Sequence, residues 1–378
     1  MTDVEATLAE LDAAGLRREL RVIESAQGPR VTLDGRDVLA LCSNDYLGLA
    51  GDARVRAAAA AAAERWGAGA GASRLVSGTM APHVELERRL AELKGSEACL
   101  LFGSGYLANT GVIAALAGPG ELVLSDALNH ASIVDGCRLA RADTVVYPHG
   151  DLDALAAALR GGRPATIVTD AVFSMDGDLA PLAEIVELAR RHGARVIVDE
   201  AHATGVVGAR GRGLVAELGL EREVDVTIGT LGKALGSYGA FACCSAPLAA
   251  FLVNRARTLI FSTAPPPPSV GAALRALELL DAALVARLHA NARLLRAELG
   301  APDAPMPIVP LLAGAPQAAV AWSRAALERG VFAQAIRPPT VPPGTSRLRA
   351  VATAAHSAAQ LREAAAVLRA TRPAAHAG

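Results

Sequence analysis

Between Ala98 and Cys244 the sequence repeats one unit: a short apolar run closed by Gly, Asp or Pro, then a longer stretch with helical spacing. The runs fall near 98–102, 121–125, 143–147, 166–173, 195–199, 224–229 and 239–244. Strands that are apolar along their whole length need cover on both faces. The intervening helices supply it, so the pattern predicts an α/β fold with a mostly parallel, seven-stranded sheet. Sheets of this kind collect ligands beyond the C-terminal ends of their strands, and the residues following each run are where chemistry is expected.

The flanks read differently. After Pro265-Pro-Pro-Pro268 the pattern becomes a long helix over 269–299, β segments near 307–313, 331–336 and 346–352, and a last helix. This predicts a smaller α+β domain over 269–378, after a large domain over 46–268 and an N-terminal helix and β segment over 1–45. Thr2 to Glu24 places Val4, Leu8, Leu11, Leu16 and Leu20 near one helical face, Arg30 to Cys42 reads as β, and Ala53 to Trp66 as an Ala-rich helix. The Gly-rich stretch Gly67–Gly78 cannot continue that helix, and the charges opening the next one, at His83–Glu87, read as solvated. The Pro373–Gly378 tail reads as frayed. With 378 residues, 52% of them apolar, the chain can bury a core of this size.

A formal net charge of −1 without basic or acidic blocks points away from nucleic acid and anionic membranes as partners. No apolar run reaches membrane-spanning length without Gly, Pro or charge, and the acidic N-terminus carries no export signal. The five cysteines, Cys42, Cys99, Cys137, Cys243 and Cys244, form no CxxC pair, which suits a reduced cytoplasm, and no metal is expected.

Two lysines occur, Lys94 and Lys233, among many arginines. A lysine kept in such a composition points to work arginine cannot do: a desolvated amine can lose its proton and attack a carbonyl, whereas a guanidinium stays protonated. Lys233 lies in Thr230-Leu-Gly-Lys-Ala-Leu-Gly-Ser-Tyr-Gly239, directly after an apolar run. The alternative is an ordinary surface lysine. A P-loop is excluded, because the early glycine is missing and Ala234 stands where Ser or Thr must reach magnesium.

Two other segments mislead when taken alone. Gly103-Ser-Gly-Tyr-Leu-Ala108 follows a strand and opens a helix, with Asp126 at the next strand's end, and so admits an NAD-dependent dehydrogenase. Small residues at a helix N-terminus serve any phosphate equally well. Asp199-Glu-Ala-His202 spells a helicase DEAH box but has no Walker A loop to go with it. His130, in Asp126-Ala-Leu-Asn-His130, follows another strand, where a lone histidine is commonly structural. Ser174, in Phe173-Ser-Met-Asp-Gly-Asp178, offers a polar contact or a simple chain reversal.

Taken together and in order, these segments resemble the α-oxoamine synthases, pyridoxal-phosphate enzymes of the aspartate-aminotransferase-like fold (fold type I), from about residue 16 to 356. The resemblance implies that Lys233 binds pyridoxal 5′-phosphate covalently. It implies Asp199 at the pyridinium nitrogen, making the ring an electron sink, His202 at the phenolic oxygen and His130 stacked on the ring. Gly105, Tyr106 and Thr230 would hold the phosphate, Ser174 would be a polar cofactor contact, and Asn44, in Ser43-Asn-Asp-Tyr-Leu-Gly48, would lie near the substrate carboxylate. Ser262 and Thr263 would reach the neighbouring subunit's phosphate, which implies a homodimer with shared sites.

One further stretch, Ala335-Ile-Arg-Pro-Pro-Thr-Val-Pro-Pro-Gly-Thr-Ser-Arg-Leu-Arg349, resembles the family's biotin-pathway branch. It implies decarboxylative condensation of L-alanine with a pimeloyl thioester, carried on CoA or on acyl carrier protein. Arg347 would grip the amino-acid carboxylate, with Arg349 as the second choice for that role or a helper, and Arg21 would by position meet the far carboxylate of the acyl chain. The alternatives are a member that acylates glycine from acetyl- or succinyl-CoA, and a non-catalytic pyridoxal-phosphate sensor.

Overall fold

The computed structural model describes residues 2–373, so the tail expected to fray lies, apart from Pro373, outside the described residues. The chain divides into two units. The smaller takes the residues up to Gly51, Met175–Gly177 and the chain from Ala286 on; the larger takes Asp52–Ser174 and Asp178–Val285.

The larger unit is built on a seven-stranded sheet, ordered Ala98–Phe102, Ala240–Cys244, Val226–Thr230, Arg195–Asp199, Ala165–Asp170, Leu122–Asp126 and Asp143–Tyr147. Ala240–Cys244 alone runs against its neighbours, so the sheet is mostly parallel, as the repeated pattern predicts. Four strands separate Ala98–Phe102 from Leu122–Asp126. A dinucleotide-binding unit needs its first two strands side by side, so the glycine fingerprint does not mark one here.

Helices Gly105–Leu116 and Ala131–Ala140 cover one face, where Val112, Ile113, Ile133, Val168, Ile197 and Ile228 form a dry cluster. Full burial of each such side chain stabilises by roughly 1.5–3 kcal/mol. The two helices meet at Gly136, where an added Cβ would lie 2.9 Å from Ile113 Cδ1 and 3.1 Å from the Asn109 carbonyl oxygen. That close approach sets the position of Asn109, which faces the site described below.

The smaller unit holds two three-stranded sheets: Arg30–Leu33 with Arg36–Ala40 and Val331–Phe332, and Ile308–Gly314 with Ser346–Val351 and Gln334–Ile336. Its core gathers on Trp322, whose Nε1 donates to the Leu368 carbonyl at 3.0 Å.

Four expectations are corrected. The N-terminal helix is Val4–Ala13, not 2–24; Gly15, at φ +66°, turns the chain out of it, and none of its apolar residues is buried. The β segment 30–42 is a hairpin, reversed at Asp34-Gly35 with both φ positive (50° and 70°), the preference of a type I′ turn. The long helix 269–299 is two, Pro267–Leu279 and Ala282–Leu299, because Asp281 Oδ1 accepts from Leu284 N at 2.8 Å and starts a new helix. Glu87 is not solvated: it forms a two-point ion pair with Arg74, at 2.7 and 2.9 Å, and accepts from Leu101 N.

Candidate active site

Four neighbouring parallel strands end in Asp126, Asp170, Asp199 and Thr230, so three carboxylates and a hydroxyl reach one edge of the sheet. The chain then turns tightly after each strand. Beyond Thr230 the loop closes on itself, with Leu231 N on Gly239 O, Ser237 N on Leu231 O, and Thr230 Oγ1 donating to Gly239 O at 3.1 Å. That closure holds Lys233, whose Nζ lies 2.7 Å from His202 Nε2. Lys233 and His202 are thus in hydrogen-bond contact.

Asp199 is buried and its carboxylate is oriented from two sides: Oδ1 accepts from Ala201 N at 2.7 Å and Oδ2 from Asn109 Nδ2 at 2.6 Å. Asn109 also donates to Ser132 Oγ, while its own Oδ1 is buried with no hydrogen-bond partner. Beside it, burial and then the charge of Asp199 push the Asp170 carboxyl well above the usual carboxylate range. Asp170 Oδ2 accepts from His130 N at 2.7 Å, and His130 Nδ1 contacts Ser132 Oγ at 2.7 Å. Desolvation, aided by Lys233 and opposed by Asp199, holds His130 below its ordinary value, so its ring is neutral at pH 7.

The expected phosphate contacts occupy similar strand and helix ends. Ser104 caps the helix Gly105–Leu116, its Oγ accepting from Leu107 N, and a side chain added at Gly105 would meet nothing within 4 Å. Tyr106 is exposed and its hydroxyl donates to Asp135. Thr263 pairs with Ser73 in an isolated bridge next to Ser262, and Ser174 lies at the tip of the hairpin that pairs Val172 with Leu179.

In the smaller unit, Arg347 and Arg349 lie on one face of Ser346–Val351, both buried. Arg347 is ion-paired with Asp176. Arg349 donates to Asn44 Oδ1 at 2.8 Å and Tyr46 Oη at 3.1 Å, so two residues of the Ser43–Gly48 segment meet an arginine. Arg21 is exposed and pairs loosely with Asp34 at 3.3 Å.

Some of this was not read from the sequence. Asn109 and Asp170 carried no motif signal. Lys94 did, as the second lysine: it is buried, and its ammonium donates to Glu200 Oε2 (2.6 Å), Thr204 Oγ1 (2.9 Å) and the Arg212 carbonyl (2.6 Å). Three donors diverging from a point charge suit an ammonium and not a planar guanidinium, which explains why arginine does not stand there. Glu200 of the DEAH segment thus serves the frame.

A buried carboxylate, an imidazole and a lysine amine converging at strand ends fit pyridoxal phosphate, which needs a counter-charge for its ring nitrogen, a donor for its phenolic oxygen and an amine for its aldehyde. No described group of His, Cys, Asp and Glu could hold a metal ion, and no described helix is long and apolar enough to cross a membrane.

The chain belongs to the class I and II aminotransferase family, whose pattern matches residues 36–368. Within it, the chain is 54% identical over 367 residues to the 8-amino-7-oxononanoate synthase of Anaeromyxobacter dehalogenans strain 2CP-1, covering 95% of this chain and 92% of that one. It is 50% identical to the synthase of the same name from Geobacter sulfurreducens, covering 96% and 95%. At that similarity the chain belongs to the family of these synthases. Among solved structures, the serine palmitoyltransferase of Sphingomonas wittichii superposes with a TM-score of 0.92 at 33% identity, covering 97% of this chain and 96% of that one. The 8-amino-7-oxononanoate synthase of Francisella tularensis superposes with a TM-score of 0.76 at 25% identity, covering 88% and 96%.

Proposed function

We propose that the protein condenses L-alanine with a pimeloyl thioester to give 8-amino-7-oxononanoate, carbon dioxide and the free thiol carrier, a step of biotin biosynthesis. The observation that carries the chemistry is Lys233 Nζ at 2.7 Å from His202 Nε2, beside a buried Asp199. Substrate choice rests on sequence, where the synthases at 50–54% identity stand well above the palmitoyltransferase at 33%, although the latter shares the backbone closely.

Pyridoxal 5′-phosphate, when bound, supplies an aldehyde for the amine and a ring that accepts the electrons released at the α-carbon. The protein does the rest. Lys233 Nζ takes the α-proton of alanine and later returns one, and His202 keeps that amine in place. Asp199 holds a proton on the ring nitrogen by its charge. His130 would contact the cofactor and meet the thioester oxygen. The amino-acid carboxylate is gripped by the arginine pair. Arg349 lies beside Asn44 and Tyr46, and Arg347 beside Asp176, whose place a carboxylate there would take. Holding the carboxylate would fix how the α-carbon is presented to Lys233.

The test is thiol release with alanine, glycine or serine against pimeloyl-, succinyl-, acetyl- and palmitoyl-CoA, with product identified by mass. Alanine with pimeloyl-CoA is expected to dominate. Arg21→Ala is expected to erase much of the preference for pimeloyl over uncharged acyl chains, since a charge-assisted hydrogen bond is about twice as strong as a neutral one. Dominance of glycine with acetyl- or succinyl-CoA, or of serine with palmitoyl-CoA, would overturn the substrate assignment and leave the lysine chemistry intact.

We further propose a homodimer in which Ser262 and Thr263 complete the partner's phosphate site. Mixing inactive Lys233→Ala with an inactive Thr263 variant is then expected to restore about a quarter of the activity at equal mixing, because half of the dimers are mixed and each regains one intact site of two. No recovery after confirmed subunit exchange would show that each chain builds its own site.

A further inference from the structure

His149 has no part in the chemistry above, yet both of its ring nitrogens face carboxylates. Nδ1 lies 2.9 Å from Asp126 Oδ1, and Nε2 lies 2.7 Å from Asp178 Oδ2. The ring also packs edge-on against Phe173, with centroids 4.4 Å apart. A neutral imidazole has one donor; acceptors at both nitrogens call for the imidazolium, which donates twice. Burial opposes that charge, but the two carboxylates outweigh it and raise the histidine above its ordinary value.

Each carboxylate belongs to a segment with a proposed role. Asp126 opens the turn to His130: its Oδ1 also accepts from Leu128 N at 2.8 Å and its Oδ2 from Gly150 N at 2.9 Å. Asn129 pins the inner side of that turn, donating to the Val168 carbonyl and accepting from Asp170 N. Asp178 closes the hairpin that carries Ser174, where Phe173 N donates to the Asp178 carbonyl at 3.0 Å. His149 is thus a tie between the His130 turn and the Ser174 hairpin, two segments far apart in sequence.

We propose that His149 is a positioning residue, which by donating to Asp126 and Asp178 at once holds His130 and Ser174 in fixed relation to each other. The proposal rests on the reading of His130 and Ser174 as active-site groups. Losing the tie lets the two segments drift independently, and a displacement of about 1 Å at a reacting centre costs on the order of 10²-fold in rate.

Three measurements on the holoenzyme test it. His149→Phe keeps the aromatic packing and removes both hydrogen bonds; His149→Gly leaves a gap that added imidazole can fill. Both are expected to lower kcat, read as α-proton exchange of L-alanine in deuterated water and as thiol release, by about 10²-fold, with cofactor content unchanged. Imidazole is expected to restore His149→Gly and not His149→Phe. Amide exchange by mass spectrometry is expected to rise in 127–130 and 173–178 and to stay unchanged in the strands. The proposal is overturned if His149→Phe keeps normal kcat, if imidazole fails to rescue His149→Gly, or if exchange rises throughout the larger unit with a lowered Tm, the mark of a merely structural residue. Failure of the functional reading looks different. The wild-type protein then shows no α-proton exchange with alanine, and amide exchange at the two segments alone decides whether His149 ties them.

Discussion

Lys233→Arg is expected to fold, to retain pyridoxal phosphate only by noncovalent contacts, and to lose turnover. The guanidinium keeps the positive charge near His202 but cannot attack an aldehyde or take the α-proton. Loss of the general base alone costs about 10²–10⁴-fold, and loss of covalent attachment adds to it. The check is borohydride reduction of the loaded enzyme followed by peptide mapping. In wild type the reduced adduct should lie on the peptide containing Lys233, and in the variant on none. An adduct on Lys94 would contradict the assignment, and the structure says why it should not form: the Lys94 ammonium is buried and spent on Glu200, Thr204 and the Arg212 carbonyl. Freeing that amine would strand Glu200, a buried carboxylate, without its counter-charge, a loss of about 3–5 kcal/mol.

The contrast between the two lysines shows what could be read from the sequence. Composition singled out both, because arginine had been used nearly everywhere else. Position after a strand then separated Lys233 from Lys94, which ends the helix Ala81–Lys94. The sheet was legible for a similar reason: strands buried on both faces are apolar without interruption, so all seven were found, with ends shifted by a few residues at most. The smaller unit was less so. Its hairpin reverses at Asp34-Gly35 inside what reads as one continuous β run, and Asp281 and Gly15 break apparent helices because one capping or one left-handed residue outweighs several well-spaced leucines.

Long-range pairs were the part that could not be read. Asn109 and Asp199 are far apart in the chain, as are His149 and Asp178, and nothing local in either sequence context announces the partner. The same limit applies to Arg347 and Arg349. Alternation placed both on one face of a strand, but only their contacts, Asp176 for one and Asn44 with Tyr46 for the other, distinguish them. Motifs told which residues have chemistry; packing tells what each one is free to do.

Asp199→Asn is expected to bind pyridoxal phosphate and to lose about 10²–10³-fold in the rate of alanine α-proton exchange, the scale on which removing one well-placed electrostatic partner acts. The substitution is nearly isosteric. Its Oδ1 can still accept from Ala201 N, but an amide group at Oδ2 would meet the Asn109 Nδ2 donor with a second donor. More important is charge. The Asp199 carboxylate acts on its surroundings: together with burial it pushes the Asp170 carboxyl well above the usual carboxylate range. Removing it leaves a neutral amide, which cannot keep a proton on the ring nitrogen, and the pull on the α-carbon's electrons weakens. Asp170 is then relieved of its neighbour's repulsion, and its carboxyl should ionise more readily. A partial return of negative charge one strand away is therefore built into the variant, and Asp170→Asn combined with Asp199→Asn should fall further than Asp199→Asn alone. Exchange of the alanine α-proton in deuterated water, followed by proton NMR without any acyl thioester, measures this step apart from acylation. A normal exchange rate in Asp199→Asn would remove Asp199 from its proposed place at the ring nitrogen.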